Sequence, residues 1–269
     1  MSKRIGILAL CYTLFLLLLF LVSATSGIVY FLLYFSAFAI PVLVALFMTR
    51  QDEGQGTKYL SLEKNELKQV IPLVPLAVSA VIAISALTSL LIYLSTGRTN
   101  SVDLGNSFIL ALLRYALLPA VLEEMLFRYL PMRLLLPYSK RATVLISAFF
   151  FSLVHHDLFS IPYAFVAGII FMAVDVATES IVPSVIMHFI NNALSVGMII
   201  FKDNSAFAPT AYIILGILSL ISLVTVWFGR KEYKKMLATA FEKGEPVGFS
   251  AEMLLFAVIT LTIAVISFV

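Results

Sequence analysis

Nine apolar runs take up most of the chain, at roughly Ile5 to Val22, Gly27 to Met48, Val70 to Leu94, Ser107 to Leu130, Ala142 to His156, Ile161 to Ala177, Ile181 to Phe201, Pro209 to Phe228 and Phe249 to Val269. A helix needs about 20 mostly apolar residues to cross a bilayer. The runs therefore predict an all-α, polytopic transmembrane helix bundle of about eight or nine spans. Of 269 residues, 61% are hydrophobic and 12% charged, a balance that ordinary soluble domains do not show. Little chain is left for a separate soluble domain. The single Cys11 falls in the first run, which removes intrachain disulfides and redox motifs from consideration.

Lys and Arg concentrate at the cytoplasmic ends of spans. With the N-terminus in the cytoplasm, that side receives 14 of them: Lys3, Arg4, Arg50, Lys58, Lys64, Lys68, Arg133, Lys140, Arg141, Arg230, Lys231, Lys234, Lys235 and Lys243. The other side receives only Arg98 and Lys202, and Arg114 and Arg128 lie within spans, which accounts for all 18. The asymmetry predicts a multi-pass protein of the cell membrane with a cytoplasmic N-terminus. "RKEYKK" reads as a cytoplasmic stop after a span and needs no nucleic-acid partner. "SKR", an apolar run and "VSA" before Thr25 have the outline of a cleavable signal peptide. The run is long for that purpose, and "SATSG" suits a turn between two retained spans.

No internal repeat or low-complexity linker is present. The stretch Thr49 to Gln69 mixes both signs of charge and reads as a cytoplasmic loop running into a short surface helix. The chain divides into N-terminal spans with this loop (1–105), a helical core (106–201) and C-terminal spans (202–269). Spans one to three and eight to nine carry almost no ionisable groups and read as scaffold and lipid contact. Polar residues concentrate between Arg114 and Asn192.

A charge at mid-span costs about 2.5 to 3.5 kcal/mol on the insertion scale, so such groups face a bundle interior or a watery cavity and pair with something. The fourth span carries Arg114, Glu123, Glu124 and Arg128. At about 100° per residue, Glu124 and Arg128 lie about 40° apart, whereas Glu123 points about 140° away from Arg128. The first two can pair, leaving Glu123 to face a cavity. Phe151 shares a helix face with His155, and His188 shares one with Asn192. A carboxylate, two imidazoles and an amide supply what hydrolysis needs: a base to activate water and donors for the oxyanion that forms. Singly, each has a duller explanation. His156 suits a satisfied interfacial residue, and Asn191 and Asn192 suit interhelical hydrogen bonding. Glu124 and Arg128 suit a structural ion pair, and Gly168 and Gly197 suit close helix packing. Those explanations do not predict that the polar groups cluster while the other spans stay clean.

The trio "EEMLFR", "FSLVH" and "HFINN" resembles the EExxxR, FxxxH and HxxxN motifs of the CAAX protease and bacteriocin-processing (CPBP, or Abi) family of intramembrane proteases. Its eukaryotic members, the CAAX prenyl protease 2 type, trim prenylated proteins. "AGIIFMAVDVATESIVPSVIMH" is similar to the small-residue span and T-x-S-x-x-P connection that precede the family's last motif. The resemblance covers Leu113 to Asn192. It implies that Glu123 is the base, that His155 helps hold and activate the water, and that His188 and Asn192 polarise the scissile carbonyl. It also implies that Glu124, Arg128 and Phe151 support the site. Glu179 stands where Gly is frequent and Met172 where a small residue is common; both departures bear on substrate fit more than on chemistry.

The resemblance implies a substrate that is a membrane-associated peptide or protein, with the bilayer as the other partner. No cofactor is favoured. The alternative is zinc held by Glu123, His155 and His188 with water in the fourth position, although HExxH is absent. At 1.5 Å per residue, Glu123 lies about 12 Å from Pro131, His188 about 10 Å from Ile181 and His155 about 20 Å from Arg141. His155 is then too deep by roughly one and a half turns, unless the fourth helix continues into "MRLLL" or the fifth starts late or tilts. The site is expected to open toward the cytoplasmic half. Two other classes stand beside the protease: a catalytically silent binding or immunity protein of the same fold, and a transporter relaying protons through Glu123, Asp175 and the histidines.

Overall fold

The computed structural model describes residues 2–25, 27–49, 58–97, 104–105, 107–155, 160–246 and 250–268, and among these every regular element is helical. The order is α1 (Ser2–Ser23), α2 (Gly27–Met48), a 3-10 turn (Lys58–Leu60), α3 (Lys64–Val70), α4 (Leu73–Thr96), α5 (Phe108–Leu112), α6 (Leu118–Glu124) and α7 (Leu130–Leu135). Then follow α8 (Lys140–Leu153), α9 (Ser160–Thr178), α10 (Val182–Ile200), α11 (Phe207–Phe228), α12 (Arg230–Ala240) and α13 (Ala251–Phe268). Among the described residues six helices are long and apolar enough to cross a membrane: α1, α2, α3 with α4 as one unit, α9, α10 and α11. α5, α6 and α7 run as one continuous helix joined by π turns at Leu113–Leu117 and Met125–Tyr129. α8, with 14 residues, is about 21 Å long and shorter than the hydrocarbon core.

The expected short helix after the polar loop is present as α3, while residues 50–57 of that loop lie outside the described residues. Glu63 begins α3, and its N–H donates to Glu66 at 3.0 Å in a capping box. Ser107 and Ser139 accept from the first turns of α5 and α8, where Ser outcompetes apolar residues because its oxygen satisfies an orphan N–H.

α1 is more than lipid contact. Ile5, Leu8, Cys11 and Tyr12 are buried. The Tyr12 ring stacks on Phe127 at 4.9 Å and meets Phe150 at 4.6 Å, and its hydroxyl donates to the Leu126 carbonyl at 3.3 Å. This helix is a wall of the core, which fits a retained span. α8 and α9 approach to backbone contact: a Cβ on Gly168 would lie 2.8 Å from the Ala148 Cα. Gly197 similarly receives the Phe207 ring.

One end of the bundle holds every described loop that the charge count assigns to the cytoplasm. Arg4 lies 4.8 Å over the Tyr138 ring. Lys140 pairs with Glu242 at 2.9 Å, and the Glu245 N–H donates to Tyr138. Tyr233 donates to the Gln69 carbonyl. Lys58 pairs with Glu179, and the Ile181 N–H donates to the Tyr59 carbonyl at 2.9 Å. These contacts tie the basic end together. Glu179 has φ +49°, the left-handed region that explains why Gly is at home in this turn. Glu179 belongs to the basic end and Met172 to the packed core, so neither touches the site; the expectation that they bear on substrate fit is corrected.

The depth mismatch also resolves. α7 carries the fourth helix to Leu135, which puts Glu123 about 18 Å and His155 about 22 Å from the starts of the α7–α8 connection. His188 is only six residues past Val182, but its turn is covered from below by Tyr59, which is 2% exposed.

Candidate active site

The second π turn begins directly after Glu124. Such a turn leaves carbonyls without their usual i+4 donors, and side chains fill the gap. Leu126 O accepts from Tyr12, and Phe127 O accepts from Ser147 Oγ at 2.5 Å and from the Arg128 guanidinium at 3.3 Å. The same guanidinium donates to Ser147 Oγ at 3.2 Å, and its Nε lies 3.0 Å from Glu124 Oε2. Both members of that ion pair are 0% exposed. The pairing inferred from helical facing is present, and Glu123, on the other face, has 23% of its side chain exposed.

Glu124 has a second partner that spacing along the helix does not reveal. Its Oε1 accepts from His188 Nδ1 at 2.6 Å. With Nδ1 engaged, His188 turns Nε2 toward Glu123, whose Oε2 is 4.0 Å away, too far for a hydrogen bond. Glu123 is thus close to His188 without being used up by it.

Phe151 links the clusters. Its ring lies 4.4 Å beneath the Arg128 guanidinium and meets His155 edge-on at 4.9 Å and His188 at 6.1 Å. The Phe151 carbonyl lies 2.8 Å from His155 Nδ1. A carbonyl only accepts, so Nδ1 carries the proton, and in the neutral ring Nε2 is the acceptor. Asn191 donates to Asn192 Oδ1 at 3.3 Å, which leaves the Asn192 amide hydrogens as donors.

Glu123, Phe151, His155, His188, Asn191 and Asn192 all line one cavity of about 610 Å³. The structure therefore brings the four residues with expected chemical roles to one space and places Glu124 and Arg128 behind it. Spans expected to be scaffold also contribute: Val81, Ile82, Ser85 and Ala86 of α4 and Tyr212 of α11 are in the wall. From Glu123 and His188 the cavity runs past Tyr163, Tyr115 and Ile199 to Leu104 and Tyr212, toward the end away from the basic loops.

Sequence reasoning passed over Ser147 and Ser184, because a serine in a span carries no signal of its own. Ser184 N–H donates to Asp175 Oδ1 at 3.0 Å, and its hydroxyl to Ile181 O at 2.8 Å. Asp175 is fully buried and is not among the residues that line the cavity. Arg114, at the first π turn, lies over the Tyr30 and Tyr115 rings. His156 lies outside the described residues. Among the described residues no group of three His, Cys, Asp or Glu is placed to hold a metal ion.

The family model described as "Type II CAAX prenyl endopeptidase Rce1-like" matches residues 105–194. That segment, about a third of the chain, holds all three motifs and every residue of the cluster around Glu124. No curated protein and no solved structure matches the chain.

Proposed function

We propose, from the membership of residues 105–194 in the CAAX protease family together with the placement of Glu123, that this multi-pass membrane protein is a glutamate-type intramembrane endopeptidase of the cell membrane. The observation that carries the reading is the division of two adjacent carboxylates. Glu124 is sealed between Arg128 and His188, and Glu123 alone faces the cavity.

In this reading Glu123 takes a proton from a water that His155 Nε2 helps hold, and the water oxygen bonds to the scissile carbonyl carbon. His188 Nε2–H and the Asn192 amide stabilise the resulting oxyanion. Donation from Nε2 while Nδ1 donates to Glu124 requires the imidazolium, for which Glu124 and Glu123 are the counter-charges. Collapse of the intermediate breaks the C–N bond, and Glu123 returns its proton to the leaving amine. Hydroxyl and hydrogen of one water are then divided between the two products. The substrate is a membrane-associated peptide or protein; the family description names prenylated ends. The test is peptide hydrolysis by purified wild type and Glu123→Gln in liposomes. Loss of cleavage in a correctly inserted variant is expected, and full activity sinks the proposal.

A further inference from the structure

We propose that Asp175 is a positioning residue of the active site: its side chain, reaching from α9 to the first turn of α10, sets the depth and rotation at which α10 presents His188 to Glu124. The inference rests on the protease reading and adds to it what holds His188 in register from the helix side.

The first N–H groups of a helix have no partner within it, and the start of α10 has few local means of satisfying them. Ile181 stands at the N-cap, where its side chain accepts nothing, and Pro183 has no N–H to satisfy. Ser180 Oγ accepts from the Val182 N–H at 3.2 Å, and the Val185 N–H returns to the Ile181 carbonyl at 3.1 Å. The remaining donor belongs to Ser184, which is fully buried and so needs a partner within the protein. Asp175 Oδ1 accepts it at 3.0 Å. A residue of the preceding helix thus does what a Ser or Asp at the N-cap does elsewhere.

Asp175 is itself fixed. It is fully buried, and its carbonyl accepts from the Ser180 N–H at 3.1 Å and from Thr178 Oγ1 at 3.4 Å. One residue therefore closes the end of α9 with its carbonyl and fastens the start of α10 with its side chain. α9 in turn is seated on α8 where Gly168 meets Ala148.

From Ser184 to His188 is about one turn, and the two lie about 40° apart on one helix face. His188 Nδ1 donates to Glu124 Oε1 at 2.6 Å, and Nε2 stands 4.0 Å from Glu123. A hydrogen bond of that length is lost when its heavy atoms part by about 1 Å, so α10 has no room to slip along its axis. Glu124 fixes the ring and Asp175 fixes the helix that carries it.

Full-length wild type and three variants in liposomes test this. Asp175→Asn keeps an acceptor oxygen, Asp175→Leu fills the space without one, and Asp175→Glu keeps the charge but moves the acceptor by a methylene. Peptide cleavage gives kcat and KM. Proton NMR of protein with isotopically labelled histidine follows the downfield Nδ1–H of His188, assigned by its loss in His188→Gln. Asp175→Leu and Asp175→Glu are expected to lose that signal and about 10²-fold in kcat with KM unchanged, and Asp175→Asn to keep both. Retention of signal and turnover in Asp175→Leu or Asp175→Glu overturns the inference, as does an equal loss in Asp175→Asn. Failure of both Asp175→Leu and Asp175→Glu to fold overturns it too, by making Asp175 a folding residue. The signal does not depend on turnover. A wild type that cleaves nothing, while its signal follows Asp175 as stated, loses the protease reading and keeps the positioning. Cleavage with a signal indifferent to Asp175 removes the positioning and keeps the protease.

Discussion

Glu123 and Glu124 are neighbours in the chain, yet they serve two regions built on different terms. Behind the helix, Glu124, Arg128, His188, Ser147 and the Phe127 carbonyl form a closed ionic cluster with no exposure at its acidic and guanidinium members. In front of it, Glu123, His155 and Asn192 share a cavity. A buried charge is tolerated only when its partners are in place, so the rear cluster is expected to govern folding and orientation. The front face is expected to govern turnover. One helix delivers both because successive residues are about 100° apart.

Substitutions can break that contrast. Glu123→Gln keeps the shape and removes the base; hydrolysis should fall about 10²- to 10⁴-fold with the unfolding temperature unchanged. A marked loss of thermal stability would merge the two regions. Arg128→Met leaves the Glu124 charge buried without its ion pair and should cost about 3–5 kcal/mol in unfolding measurements in detergent. Adding Glu124→Leu should restore much of that stability but not activity, since His188 then has no anchor; recovered turnover would show that the cluster does not orient His188. Asn192→Ala should lower kcat about 10²- to 10³-fold with little change in KM, as expected for a donor to the oxyanion, and a pure KM effect would move it to substrate binding. Gly168→Ala inserts a methyl 2.8 Å from the Ala148 Cα. It should cost about 1–3 kcal/mol and slow turnover by displacing the helix that carries Phe151 and His155. The smallest effect belongs to Glu179→Gly. An exposed pair with Lys58 worth about 0.2–1 kcal/mol is lost, while the left-handed backbone is relieved, so stability should stay within about 1 kcal/mol.

Most of the bundle was legible in the sequence because the hydrophobic runs are long and the charges sparse. The long apolar helices, the surface helix at α3 and the gathering of basic loops at one end all follow from those patterns. The fourth helix shows the limit. Its continuation to Leu135 appeared only as one way to settle a depth mismatch, and its two π turns left no mark in apolar periodicity. The separation of Glu123 from Glu124 and Arg128 came from helix geometry alone. The contact between Glu124 and His188 did not, since it joins residues 64 apart in sequence and depends on how two helices dock.

By itself the sequence determined a polytopic helix bundle, its charge asymmetry and the residue types able to hydrolyse a peptide, because membrane solvation penalises every charge that lacks a purpose. Tertiary structure alone decided which spans wall the cavity, and that His188 is anchored on Glu124 rather than Glu123. Those outcomes depend on the relative rotation and depth of helices, which close packing sets through contacts such as that of Gly168 with Ala148.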